Sequence, residues 1–225
     1  MVRLVSRMKK AHWARWLAFG YLPVALATSL GNEAHIYLET TGDKTSVISW
    51  TLEQASDVKI TVQDEGEVYV NHCDVLGTTF GWRFRGKDTD VIAHRSENLL
   101  EIRGIFHGEE FQERHPIDSA PWYQTLAYAL RPLVATDATS LVFWTIRPDN
   151  LDVVKMEAKR EGPEKIAVNG EPMQTEKVRI NPNGFLSRFW HAHYWFRLSD
   201  RVFVRYEGVH GPPGHPKTVI QLQQG

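Results

Sequence analysis

Apolar and polar residues alternate with a period of two through most of this chain. Ile48, Trp50 and Leu52 share one face of the run Val47 to Leu52, and Val58, Ile60 and Val62 repeat the pattern. Phe80, Trp82 and Phe84 follow, then Leu100, Ile102, Gly104 and Phe106. The second half continues with Val154, Met156 and Ala158, then Val178 and Ile180, the run Trp190 to Leu198, Val202, Val204 and Tyr206, and finally Ile220 and Leu222. Successive side chains of a strand point to opposite sides, so each run predicts a half-buried antiparallel strand. About ten strands in one domain predict a curved antiparallel sheet, a half-barrel or open barrel.

The turns support this reading. Asn169-Gly170 separates Ile166-Ala167-Val168 from the strand around Thr175 to Ile180, and Asn-Gly suits a tight hairpin because both residues accept positive φ. Asn183-Gly184 and Ser199-Asp200 predict two further reversals, and the mixed-charge run Glu157 to Glu164 predicts a strand end passing into a solvated turn at Gly162-Pro163. One segment breaks the β period. Asp118 or Ser119 is placed to cap a helix with Pro121 in its first turn, and Trp122, Leu126, Ala129, Leu130 and Leu133 fall at helical spacing up to Ala135. The expected architecture is therefore mainly β: a curved sheet with one packed amphipathic helix.

The first residues change the picture from fold to destination. Arg3, Arg7, Lys9, Lys10 and Arg15 precede an apolar run from Trp16 to Ala27 that ends in the small-x-small triplet Ala25-Leu26-Ala27. This order predicts a signal peptide over 1–27, cleaved before Thr28, leaving a single β-rich domain over 28–225 exported to the periplasm or the outside of the cell. The apolar run is shorter than the roughly 20 residues a spanning helix needs and holds Gly20 and Pro23, so membrane contact is expected only through this segment where it stays uncleaved. Of 26 basic and 27 acidic residues, five basic ones lie in the signal segment, leaving 21 against 27 and a net charge of about −6. An acidic domain without a Lys/Arg stripe argues against nucleic-acid binding. With Cys73 alone, no internal disulfide forms, and stability rests on a packed core.

Candidate chemistry is sparse. The sequence has no Gly-x-Ser-x-Gly, no phosphate-binding Gly-x-x-x-x-Gly-Lys, no His-Glu-x-x-His and no Cys-x-x-Cys. His72 and Cys73 are adjacent on a strand and point apart, which predicts an inert buried thiol rather than a nucleophile and its base. His191 and His193 share a strand face as a metal half-site, with His210 or His215 to complete it, and this gives the alternative expectation of a metal-dependent enzyme. The leading expectation is non-catalytic. Six tryptophans follow the signal segment, and a strand with aromatic rings on both faces fits a core on one side and a cavity on the other. Trp82, Trp122, Leu126, Trp190, Tyr194 and Trp195 are the candidate lining for a lipid, another hydrophobic small molecule or an envelope protein, with no cofactor required. A third expectation is an assembly protein whose sheet edge recruits a partner strand.

Three stretches also carry a resemblance: the segment Trp122 to Leu133 after an extended meander, the hairpin Val168-Asn169-Gly170-Glu171, and the closing series Tyr194-Trp195-Phe196 and Asp200-Arg201-Val202-Phe203-Val204-Arg205-Tyr206-Glu207. Over residues 35 to 223 the chain resembles a family of bacterial exported domains of unknown function, similar in fold to the periplasmic lipoprotein-localisation carriers. That resemblance implies a half-open β-barrel closed over by helix around a hydrophobic concavity. It implies no functional residue.

Overall fold

Among the described residues, every strand pairing but one joins neighbours in sequence, and the exception joins the first strand to the last. The computed structural model describes residues 31–184, 190–209 and 216–224. The strands are β1 (Glu33–Thr41), β2 (Lys44–Gln54), β3 (Val58–Asp64), β4 (Glu67–Cys73), β5 (Thr79–Gly86), β6 (Thr89–Ser96), β7 (Leu99–Phe106) and β8 (Glu109–Pro116). After two short helices, α1 (Leu126–Ala129) and α2 (Arg131–Ala135), come β9 (Ser140–Ile146), β10 (Val153–Val168), β11 (Glu171–Pro182), β12 (Ala192–Arg197), β13 (Phe203–Val209) and β14 (Lys217–Gln224). All belong to one antiparallel sheet in the order β8-β7-β6-β5-β4-β3-β2-β1-β14-β13-β12-β11-β10-β9. Among the described residues the sheet therefore has 14 strands rather than about ten.

Six hairpins turn on two residues. Thr41 pairs with Lys44, Asp64 with Glu67, Phe106 with Glu109 and Val168 with Glu171. Positive φ at both turn residues matches the strand twist, as at His107-Gly108 (53° and 85°) and Asn169-Gly170 (53° and 82°). The Asn-Gly reversal forms where the sequence places it. Gly162-Pro163, by contrast, is no turn. Both residues lie inside the 16-residue β10, where the register with β11 slips between Arg160 and Gly162 as a β-bulge.

The helix over Trp122 to Ala135 is corrected in two ways. Residues 121–123 are extended and bridge two distant strands: the Trp122 carbonyl accepts from the Thr79 N–H (2.8 Å), and the Trp144 and Tyr123 N–H groups exchange bonds with Pro121 and Trp144 carbonyls (both 2.8 Å). Asp118 does not cap a helix but binds Trp144 Nε1 and Lys155. The helical part then breaks at Leu130, because Pro132 has no N–H to give the Tyr128 carbonyl. Helical spacing alone could not exclude an extended start, since Trp122 finds its burial at the seam between β5 and β9.

The core occupies the face that carries Tyr37, Trp50, Tyr194, Phe196 and Phe203, and continues through a cluster of Trp82, Phe84, Val91, Leu100, Ile102, Trp122 and Ile146. Leu133 of α2, and Leu130 between the two helices, close over it. Arg131 fixes that closure. Its guanidinium makes a bidentate ion pair with Glu33 at the start of β1 (2.8 and 2.9 Å) and lies over the Trp50 ring, 5.7 Å from the centroid. His35 Nε2 approaches the same carboxylate at 3.0 Å.

Candidate functional site

The sheet has a second face, and on it the second half of the chain builds a cleft. Alternation along β12 sends Ala192, Tyr194 and Phe196 into the core and His193 and Trp195 to the other side. Antiparallel pairing sets Trp195 opposite Arg205 and His193 opposite Glu207 on β13, and Arg205 opposite Gln221 on β14. These side chains form a floor. The roof comes from the far end of the β10–β11 hairpin, which folds back across β11, β12 and β13 until the Asn169 amide donates to the Leu222 and Gln223 carbonyls of β14 (2.9 and 3.2 Å). Strands lie about 4.8 Å apart, so a tip that starts on β10 spans four spacings, roughly 19 Å, to reach β14.

Between roof and floor lies a cleft of about 790 Å³. Ile166 and Ala167 line it from the hairpin, Trp190 and Val209 from one end, and His191, His193 and Trp195 from β12 and the residues before it. Its ionic groups are tied to one another. Trp195 Nε1 donates to Glu164 (3.0 Å), and the Lys177 ammonium sits 5.2 Å from the Trp195 ring centre and 3.6 Å from both Glu161 and Glu164. Arg205 and Lys217 both hold Glu207. Burial, with Lys177, His191 and Arg179 nearby, pushes the His193 pKa below its usual value against the opposing pull of Glu161, 3.4 Å away. His193 is thus biased toward the neutral ring.

The predicted lining residues separate into three places. Trp190 and Trp195 meet in the cleft; Trp190 precedes β12, so strand alternation does not bind it to the side of Tyr194, and its Nε1 donates to the Val209 carbonyl (2.6 Å). Tyr194 faces the core, against Phe203 and Tyr206 with ring centres 5.5 and 5.1 Å away. Trp82 and Trp122 share the other core cluster, 4% and 0% exposed, and Leu126 opens α1 half-buried. His191 and His193 lie together, ring centres 5.2 Å apart, but among the described residues no three His, Cys, Asp or Glu side chains are placed to hold a metal ion. His210 and His215 lie outside the described residues. Cys73 is fully buried, its thiol pushed up to about 12 by burial and by nearby Asp74 and Asp57, while His72 turns to Asp57 (3.0 Å). The sequence pattern did not mark Glu164, Ile166, Arg205 or Glu207. Only the alternating charges Arg205 and Glu207 hinted at a polar strand face.

No protein-family model matches this chain, and no curated protein does. Among solved structures, the fold is similar to the beta-barrel-like protein of the domain of unknown function DUF1849 from Brucella abortus, at 9% identity and a TM-score of 0.60 over 87% of this chain and 97% of that one. A putative outer membrane lipoprotein-sorting protein domain from Vibrio parahaemolyticus gives 9% identity and 0.33, over 86% and 84%. A DUF1329 family protein from Desulfovibrio piger gives 10% and 0.29, over 85% and 82%. The resemblance read from the sequence holds at the level of fold: the barrel-like sheet of a bacterial domain of unknown function.

Proposed function

We propose that this protein is an exported, non-catalytic binding domain that holds a ligand with an apolar body and a polar end in the cleft beneath the β10–β11 hairpin. The observation that carries the proposal is the lining: Trp190, Trp195, Ile166 and Val209 offer apolar surface, and charged residues ring it. A volume of about 790 Å³ falls in the range of small-molecule sites. Binding is favoured over turnover because the carboxylates at the site are already committed, Glu164 to Trp195 and Lys177 and Glu207 to Arg205 and Lys217. Export rests on the order of charge, apolar run and small residues over 1–27. The packed state of Trp82, Trp122 and Tyr194 moves the expected ligand from the core face to the opposite one.

Titration with oleate, followed by tryptophan fluorescence, tests this reading. Native protein should bind, and Ile166→Asp, which sets a charge on the roof, should weaken binding at least tenfold. Trp82→Phe should leave it unchanged. If native protein shows no response to oleate or phospholipid and carries no lipid when purified from its envelope, the proposal is wrong. If Trp82→Phe abolishes binding while Ile166→Asp does not, the site is elsewhere.

A further inference from the structure

The roof of the cleft is attached differently from the rest of the sheet. We propose that the Lys165–Gln174 end of the β10–β11 hairpin is a flap that lifts to admit ligand, with Asn169 as the latch that closes it onto β14. The inference rests on the cleft being a binding site for its purpose, though not for the motion itself.

The pairing isolates this part mechanically. β9 pairs with β10 only over Val153–Lys159, and β12 pairs with β11 only over Thr175–Ile180. Gly162, Pro163 and Glu164 lie opposite Lys177, Glu176 and Thr175, which the β12 ladder holds, so among the described residues the ribbon is free of a third strand from the Lys165–Gln174 pair outward. The flap can therefore rotate as a two-stranded ribbon without breaking any ladder bond to β9 or β12.

A bend precedes that free end by three residues on β10. The bulge between Arg160 and Gly162 interrupts the register, and Gly162 has φ +106°, a conformation that a side chain strongly disfavours. No heavy atom lies within 4 Å of the point a Cβ would occupy, so no packed neighbour braces the bend.

The contacts beneath the flap are few and mostly polar. Val168 is its one buried apolar residue; Ile166 and Met173 are half-buried, and most of the remainder is exposed. What holds it shut is Asn169 on the carbonyls of Leu222 and Gln223, Gln221 Nε2 donating to Asn169 Oδ1 (3.2 Å), and the Leu198 N–H donating to the Gln174 carbonyl (3.0 Å). Little apolar burial and solvent-accessible hydrogen bonds are the marks of a segment that opens locally, on a timescale separate from global unfolding.

Two measurements on the full-length protein decide the matter. In native protein, hydrogen exchange should show flap amides between Ile166 and Met173 exchanging at least a hundredfold faster than those of Val178 and Ile180 in the β11–β12 ladder. Gln221→Ala, which removes one latch bond, should speed the flap further and leave the ladder unchanged. The second measurement joins Asn169→Cys to Gln221→Cys across the latch, with buried Cys73 left in place, and follows oleate uptake by stopped-flow fluorescence. The oxidised protein should take up oleate at least tenfold more slowly, and dithiothreitol should restore the rate. Equal uptake in the locked and reduced forms, or flap amides as protected as the ladder, overturns the flap. Should the reduced protein take up no oleate, the binding reading fails while the exchange result still decides the motion; should the disulfide not form, exchange in native protein and Gln221→Ala decides it alone.

Discussion

Glu33 shows how much of this fold depends on single side chains placed against the general trend. Burial raises its carboxyl pKa, but hydrogen bonds from His35 and Arg131 and the charge of Arg131 outweigh this, so it titrates at about 2 instead of 4.5. The folded value is the lower one, so the unfolded chain takes up the proton first as the pH falls. The stabilisation is complete above about pH 4.5 and is lost between there and about pH 2. Its ceiling is about 3 kcal/mol. Glu33→Gln should therefore lower the urea midpoint at pH 7 and flatten its fall through that acid window; an unchanged slope would show that the pair contributes nothing. Gly104 is a second such position. It lies opposite Val91 in the ladder at φ +144°, and a Cβ there would stand 2.1 Å from the Asp90 carbonyl oxygen. Gly104→Ala should cost more than about 2 kcal/mol, again read from the denaturant midpoint.

Among the elements, the seam between β5 and β9 carries more than its length suggests. Trp122 fills it completely and its backbone joins both sides, so Trp122→Ala should destabilise the protein by about 3–5 kcal/mol, whereas Leu126→Ala, half-buried at the start of α1, should cost less than half as much. Thermal denaturation of the two variants checks the order. This seam was not legible in the sequence, because Trp122 also fits the helical spacing of Leu126, Ala129 and Leu133. Strands such as β2, β3 and β7 were legible, since their buried side is apolar throughout. Others were harder to read. In β4 the inward positions include Asn71, and β8, Glu109–Pro116, is charged on both sides as the unpaired edge of the sheet. Of the cleft, the His and Trp residues of the Trp190 to Trp195 run stood out from their neighbours. The roof did not, because the fold-back of β10–β11 depends on a bulge at Gly162 and on a tip-to-β14 contact, neither of which has a local pattern.

At the scale of the whole molecule, the pairing of β1 with β14 unites two meanders into one sheet: β1 to β8 run outward on one side, and β14 back to β9 on the other. Core residues cross this junction, as the Tyr37 hydroxyl on β1 donates to the Phe203 carbonyl on β13 (3.0 Å). A chain ending at Pro216 would lose the central strand, leaving β1 and β13 as new open edges. It should be recovered without the near-ultraviolet dichroism of packed tryptophans, and a truncated protein that kept a native spectrum would show the two halves to be separable.

The same junction sets an order of events during synthesis. Of these strands the ribosome releases β1 first and β14 last, so the bonding groups along one side of the first strand wait, unmet, while about 175 residues are added. Until β14 emerges, that waiting flank is an open strand edge, available to any extended neighbour. The sheet's centre is thus the last part of the molecule to close.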